Sequence, residues 1–437
     1  DAPLQRLALE APAAVQLEAA RYFESRGAAG VDQAVLLYLR GGNAARAVEL
    51  CFKHQLFAPL KKAVEELGPG ADPALLRRCA EFFVQHGEYD KAVPLLVEAR
   101  AAPEALQLCA AHNVLITEDM AEKLSPAKPA AGSPGEAEAA ATRTATLMQI
   151  AQLCSDQGSF QLACKKFTQA GDRMRAMKSL LRSKDVDKIC YYAQMSKKRE
   201  LYILAARFLE RLDWRQNADL AKQITQFYTL ARAMQALAAF HEREAQSQID
   251  DNRDYVAAHE ALRRSLAALQ RARAAGPGAE PGVAPGQETT DAHVDSCTQR
   301  LLLVQRFTEA RNLLESDPEQ MLRECFEVAR LSLEQQRAHA QAFGAQQPAA
   351  SVRAGDAYAL IVEYCAAVGD NARALEGLYA LRGAGLKVVD YVDAAVVDQV
   401  ARAQGVDPGQ ITGVAQQQQQ QGQRAGGAGG YEIEEDM

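Results

Sequence analysis

The residues of this sequence best equipped for chemistry are its nine cysteines and seven histidines. A thiolate nucleophile needs a partnering base, and a metal needs several ligands at spacings such as Cys-x-x-Cys or His-Glu-x-x-His. Neither spacing occurs. The cysteines, from Cys51 to Cys365, are scattered through alanine- and leucine-rich stretches, where a reduced thiol behaves as a small apolar group. Their odd number, without a pairing framework, fits a reducing compartment, and no Asn-x-Ser/Thr sequon is present. The histidines, from His54 to His339, lie far apart in the chain. There is no Gly-x4-Gly-Lys-Ser/Thr phosphate loop, no dinucleotide fingerprint and no nucleophile elbow. The sequence therefore reads as a non-enzyme with no catalytic residue, no cofactor and no metal site.

Charge supplies the next signal. The chain carries a net charge of −7, which argues against a nucleic-acid partner. Between Lys165 and Arg215, however, fourteen Lys/Arg stand against six Asp/Glu, a local net of +8. Lys165, Lys166, Arg173 and Arg175 open this tract, and Lys197, Lys198 and Arg199 follow. One reading is a docking face for an acidic partner or an anionic membrane surface. The plainer reading, a solvated outer face, carries more weight. Trp214, the single tryptophan, reads first as a packing residue and second as an interface aromatic. No apolar run is long enough for a transmembrane segment, and the N-terminus lacks the basic start of a signal peptide.

The elements that position these residues are helices. Five stretches share the pattern Gly-x4-Ala: Gly42 with Ala47, Gly87 with Ala92, Gly158 with Ala163, Gly171 with Ala176, and Gly369 with Ala374. A glycine can end one helix in the left-handed conformation. The alanine then falls in the first turn of the next helix, where two axes approach and only a small side chain fits. Small and large residues recur around the pattern at three, four and seven, a helical period. Residues 75–100 and 146–171 thus read as two-helix units of about 34 residues, the tetratricopeptide period. The unit after Gly27 carries two extra turn residues. Strand signals are almost absent. The expected fold is all-α: tetratricopeptide-like helical hairpins stacked into a superhelical solenoid.

Composition divides the chain. Helical repeats are expected over 1–124, a flexible insertion over 125–143, further repeats over 144–273, a flexible Pro/Gly loop over 274–290 and a C-terminal helical block over 291–404. Residues 405–437 read as a low-complexity Gln/Gly segment with an acidic tail.

Longer strings are more specific. ALQLCAAHNVLITEDMAEKL from Ala105, ACKKFTQAGDRMRAMKSLLRSKDVDKI from Ala163, LDWRQ from Leu212, FYTLARAM from Phe227 and DYVAAHEAL from Asp254 resemble the C-terminal part of the intraflagellar transport protein 140 family. The acidic end YEIEEDM resembles that family's tail. The likeness spans roughly 16–400, outside the Gln run and the two Pro/Gly insertions. It implies a scaffold subunit of intraflagellar transport complex A. Family members carry two WD40-type β-propellers before the helical repeats, and no propeller text is present. With Asp1 in place of a start methionine, this chain reads as the helical portion of a larger subunit.

The resemblance also implies a place and partners. It points to retrograde transport and admission of membrane cargo at the cilium or flagellum, with basal-body and cytoplasmic pools. Partners would be other complex A subunits, with a membrane-cargo adaptor as a further candidate. No contact residue carries over by motif. A vesicle-coat or tethering subunit of related build is the alternative. A chaperone adaptor ranks last, since the paired basic and Asn side chains of a carboxylate clamp are missing from the hairpins at Gly87 and Gly158.

Overall fold

The computed structural model describes residues 10–56, 59–60, 72–129, 135–275, 287–343 and 351–412. These residues form 21 α-helices with short 3-10 and π turns, and among them there is no strand. The chain divides into two compact units at Ser196/Lys197, rather than at either Pro/Gly-rich segment.

In the first unit the helices are α1 (Ala13–Ser25), α2 (Val31–Arg40), α3 (Ala44–His54), α4 (Pro73–Gln85), α5 (Tyr89–Glu98), α6 (Ala102–His112), α7 (Glu118–Leu124), α8 (Glu136–Asp156), α9 (Phe160–Gln169), α10 (Arg173–Ser183) and α11 (Val186–Ser196). The second unit holds α12 (Arg199–Leu209), α13 (Ala218–Ala231), α14 (Met234–Ser247), α15 (Tyr255–Ala275), α16 (Gln287–Asn312), α17 (Pro318–Phe343), α18 (Ala354–Val368), α19 (Asn371–Gly383), α20 (Ala394–Gln404) and α21 (Pro408–Thr412). Each helix packs chiefly on its sequence neighbours, as expected of hairpins in a repeat array.

The hairpin turns show how the sequence builds this. Gly42, Gly87, Gly158, Gly171 and Gly369 all have φ between 76° and 88°. At Gly87 the amide donates to Val84 O, and Glu88 N donates across the turn to Phe83 O at 2.9 Å. Gly158 and Ser159 repeat this on Ser155 and Cys154, and Gly171 with Asp172 on Thr168 and Phe167. The paired bonds satisfy carbonyls that the helix end would otherwise leave open. The chain then re-enters a helix. Ala47, Ala92, Ala163, Ala176 and Ala374 each stand fourth in it and donate to the carbonyl of the residue before it starts. All five are fully buried. A larger side chain there would separate the two helices.

The same turn also occurs without glycine. Gln55, Arg100 and Arg232 have φ of 54°, 56° and 53°. Leu56 N donates to Cys51 O, Ala101 N to Leu96 O and Ala233 N to Tyr228 O. Each residue accepts the left-handed conformation, which disfavours L side chains by about 1–2 kcal/mol, because the surrounding packing fixes the turn.

Three expected boundaries move. The insertion placed at 125–143 is helical from Glu136, because Glu-Ala-Glu-Ala-Ala-Ala is strong helix former with acids at the positive helix end. Its residues 130–134 lie outside the described residues. Of the loop placed at 274–290, α15 takes residues through Ala275 and α16 those from Gln287, while 276–286 lie outside the described residues. The helical block continues past 404 to Thr412, since Ile411 is buried. The Gln run and acidic tail lie outside the described residues.

Candidate docking surface

Helices α9, α10 and α11 carry the basic tract of the first unit, and each is amphipathic. On α9, Ala163, Cys164 and Phe167 point inward, while Gln161, Lys165, Thr168 and Gln169 face solvent. On α10, Ala176, Met177 and Leu180 are buried, and Arg173, Met174, Arg175, Lys178 and Arg182 are exposed. Asp172 caps α10 by accepting from Arg175 N at 2.9 Å. On α11, Ile189, Cys190 and Ala193 are buried, and Lys188, Tyr191 and Met195 are exposed.

The tract is not one uniform cationic face. Lys166, placed by sequence on the docking face, is 0% exposed. It lies on the inward side of α9, and its Nζ donates to Ser125 Oγ at 2.9 Å and pairs with Glu122 at 3.2 Å. A buried ammonium needs such partners. Lys165 projects outward but stands between Glu118 and Glu122, at 2.9 and 2.8 Å. The hydrogen bonds from Lys165 and Lys166 hold the Glu122 carboxyl below its ordinary value. Arg175 is exposed and pairs with Asp172. Arg173 is exposed and donates to Ser196 O, the last carbonyl of α11. Lys197, Lys198 and Arg199 belong to the second unit, where all three are exposed and Arg199 Nε donates to Ala231 O at the end of α13.

Trp214, offered by sequence as an interface aromatic or a packing residue, is buried. It is 8% exposed and meets Phe240 edge to face, with ring centroids 5.1 Å apart. The turn after α12 folds it inward, so its apolar area stabilises the core of the second unit.

The sequence reading missed an apolar stripe. Tyr191 and Met195, one helical turn apart on α11, are 65% and 64% exposed. Tyr191 lines a groove of about 370 Å³ between α9 and α11, floored by Leu180 of α10. Tyr192 turns into the groove, with its hydroxyl 3.0 Å from Thr168 Oγ1. A second, more polar cleft of about 640 Å³ flanks the other side of α9 and reaches Arg182, and Gln161 and Lys165 line both. The available signal was Ile-Cys-Tyr-Tyr-Ala-Gln-Met, which has more large apolar residues than one buried helix face holds.

The second unit holds two partly buried charged clusters. Glu242 pairs with His293 at 2.8 Å and with Arg300 at 3.2 Å, and Ser265 donates to it. Burial pushes the Glu242 carboxyl up, but the His293 hydrogen bond and the Arg300 charge outweigh this and leave it lowered. The same hydrogen bond raises His293. In the other cluster, Tyr255 and Asp356 line a small cleft of about 150 Å³ with Arg253, Arg311, Glu363 and Tyr391.

All nine cysteines are buried and unpaired. Burial pushes the thiols of Cys51 and Cys325 up to about 12, and those of Cys79, Cys109, Cys154 and Cys164 to about 11. These stay protonated at neutral pH. Among the described residues, no group of three or more His, Cys, Asp or Glu is placed to hold a metal ion, and no helix is long and apolar enough to cross a membrane.

Two family matches accompany this geometry. Residues 1–227 match the TPR domain shared by intraflagellar transport proteins 140 and 172, and residues 235–382 match the C-terminal TPR domain of intraflagellar transport protein 140. A solved "Circular tandem repeat protein with novel repeat topology and enhanced subunit contact surfaces" aligns over 95% of this chain and 91% of that one, at 15% identity and a TM-score of 0.16. A score that low gives no common shape to argue from.

Proposed function

The chain belongs to the TPR-domain family of intraflagellar transport proteins 140 and 172, and from that premise we propose that it is a non-catalytic scaffold subunit of intraflagellar transport complex A. One observation carries the reading: two consecutive matches to this family's TPR domains cover residues 1–227 and 235–382. Helical-repeat families of this kind are interaction scaffolds whose stacked helices present long faces to other proteins.

In this reading the chain binds other complex A subunits, serves retrograde transport along the axoneme and takes part in admitting membrane cargo to the cilium. Its surroundings are ciliary, with basal-body and cytoplasmic pools. The open clefts beside α9 support a binding role.

Affinity purification of the tagged protein from ciliated cells, read by mass spectrometry, tests the reading. Recovery of complex A subunits in constant ratio is expected, with the tag located at cilia and basal bodies. Recovery of vesicle-coat subunits instead, with no ciliary signal, would overturn it. Clear turnover in a nucleotide-hydrolysis assay would overturn the non-catalytic part.

A further inference from the structure

The polar cleft of about 640 Å³ in the first unit lies between the start of α9 and the end of α10. Two cations line it, Lys165 and Arg182. Lys165 brings no spare charge, because Glu118 and Glu122 flank it at 2.9 and 2.8 Å. Arg182 does. Its Nη1 donates to the buried Ser155 Oγ at 3.1 Å, and its guanidinium carbon lies 4.9 Å from the centroid of the Phe160 ring. Among the described residues no carboxylate pairs with it, and Nε and Nη2 have no partner. Those two donors form an edge that can grip a carboxylate bidentately. Ser155 and Phe160 hold the side chain in place, which removes part of the ordering cost of binding. Ser159, also in the lining, does not use its hydroxyl to cap α9.

The positive charge continues along α10. Helices α9 and α10 together hold six Lys/Arg and no Asp/Glu. Acids of α7 compensate Lys165 and Lys166, and Asp172 compensates Arg175. Asp185, just beyond α10, is taken by Lys188. Lys178 is exposed one turn before Arg182, on the same face, and forms no ion pair among the described residues. Lys178 and Arg182 are thus two uncompensated cations about 6 Å apart along the helix axis, the second of them in the cleft.

We propose that this cleft docks an acidic segment of a partner protein, with one carboxylate gripped by Arg182 and a second held over Lys178. This deepens the scaffold reading and rests on it. In an extended segment, side chains two residues apart point to the same side and lie about 6.8 Å apart, so acids at that spacing match the two cations. Arg182 is the single uncompensated cation in the lining, and Glu118 stands there as well. A monoanionic carboxylate therefore fits the cleft better than a phosphate of nearly twice the charge. A polar concavity also offers a bilayer no apolar face to bury.

Fluorescence anisotropy with the full chain tests this. The probe is a labelled synthetic Gly/Ser peptide with two Glu residues two positions apart. Saturable binding that weakens with added salt is expected. Replacing both Glu by Gln in the probe should abolish it, an outcome that no folding defect of the protein can mimic. Arg182→Gln should weaken binding at least about ten-fold, the loss of a charged hydrogen-bond pair. Lys178→Gln should weaken it about three-fold, as for an exposed ion pair, with an unchanged melting temperature.

Absence of saturable binding, equal binding of the Gln probe, or unchanged binding by either variant would overturn the proposal. So would tighter binding of a probe with phosphoserine in place of Glu, or sedimentation with phosphatidylserine vesicles that the same substitutions abolish. Purification of complex A subunits is followed in parallel. If they co-purify while the peptide fails, the cleft assignment falls and the scaffold reading stands.

Discussion

Tyr255 on α15 donates its phenolic hydrogen to the Asp356 carboxylate on α18 at 2.6 Å, joining residues 101 positions apart in the chain. Its ring meets Phe307 of α16 edge to face at 4.6 Å. Arg353 N donates to the same hydroxyl, and Arg253 and Arg353 stand 3.8 and 3.9 Å from the carboxylate. One Asp356 oxygen is buried without a hydrogen-bond partner. Tyr255→Phe keeps the ring packing but leaves the carboxylate further undersatisfied. The expected cost is about 1–3 kcal/mol, read as a lower midpoint in denaturant. An unchanged midpoint would show that the bond contributes nothing net.

Glycine at the hairpin turns is a matter of backbone conformation rather than space. Gly87 and Gly158 have φ of +76° and +82°, and a Cβ at either would meet no atom within 4 Å. Gly87→Ala should therefore cost about 1–2 kcal/mol through strain alone. The reverse change at an equivalent turn, Arg100→Gly, should be neutral or stabilising by up to about 1 kcal/mol. Thermal melting of both variants checks the pair. Destabilisation by Arg100→Gly as large as that by Gly87→Ala would contradict the account.

The buried alanines predict the opposite kind of sensitivity. Ala92 and Ala163 are fully buried at the start of α5 and α9. Ala163→Leu should push α8 and α9 apart at a cost of about 1–3 kcal/mol. Gln161→Leu, two residues earlier on the solvent side, should change stability by less than about 0.5 kcal/mol. Equal effects would mean that the hairpin contact does not require a small residue.

His293 and Glu242 give the second unit a pH dependence. The folded pKa of His293 lies above its ordinary 6.5. Its contribution is full below pH 6.5 and fades as pH rises through the raised value. Glu242 is lowered from 4.5, so its contribution is present above that value and is lost as pH falls through the folded one. Both contributions are whole between 4.5 and 6.5. His293→Gln should shrink the drop in melting temperature between about pH 6 and about pH 8. An unaltered drop would place the titration elsewhere.

How much was legible in the sequence follows from what is local. A left-handed turn, its two capping hydrogen bonds and the small residue five positions on are settled within one helix end and the next helix start. Gly87 and Ala92 therefore announce their hairpin, and repetition of the pattern announces an all-helical array. The turns at Gln55, Arg100 and Arg232 lack that announcement, because packing imposes a conformation their own side chains resist. The helix from Glu136 was hidden by the Pro/Gly residues just before it.

Side-chain fates around the basic tract were decided by the tertiary structure. Sequence could count fourteen cations between Lys165 and Arg215. Only packing shows that Lys166 turns inward to Ser125 and Glu122 while Lys165, its neighbour, turns outward. Trp214 and Tyr191 are a similar pair: the single tryptophan is folded onto Phe240, and an unremarked tyrosine is left in water. The sequence by itself determined the hairpin grammar, because backbone conformation depends on near neighbours. Only the tertiary structure decided which charges and rings meet solvent, because that depends on helices brought together from distant parts of the chain.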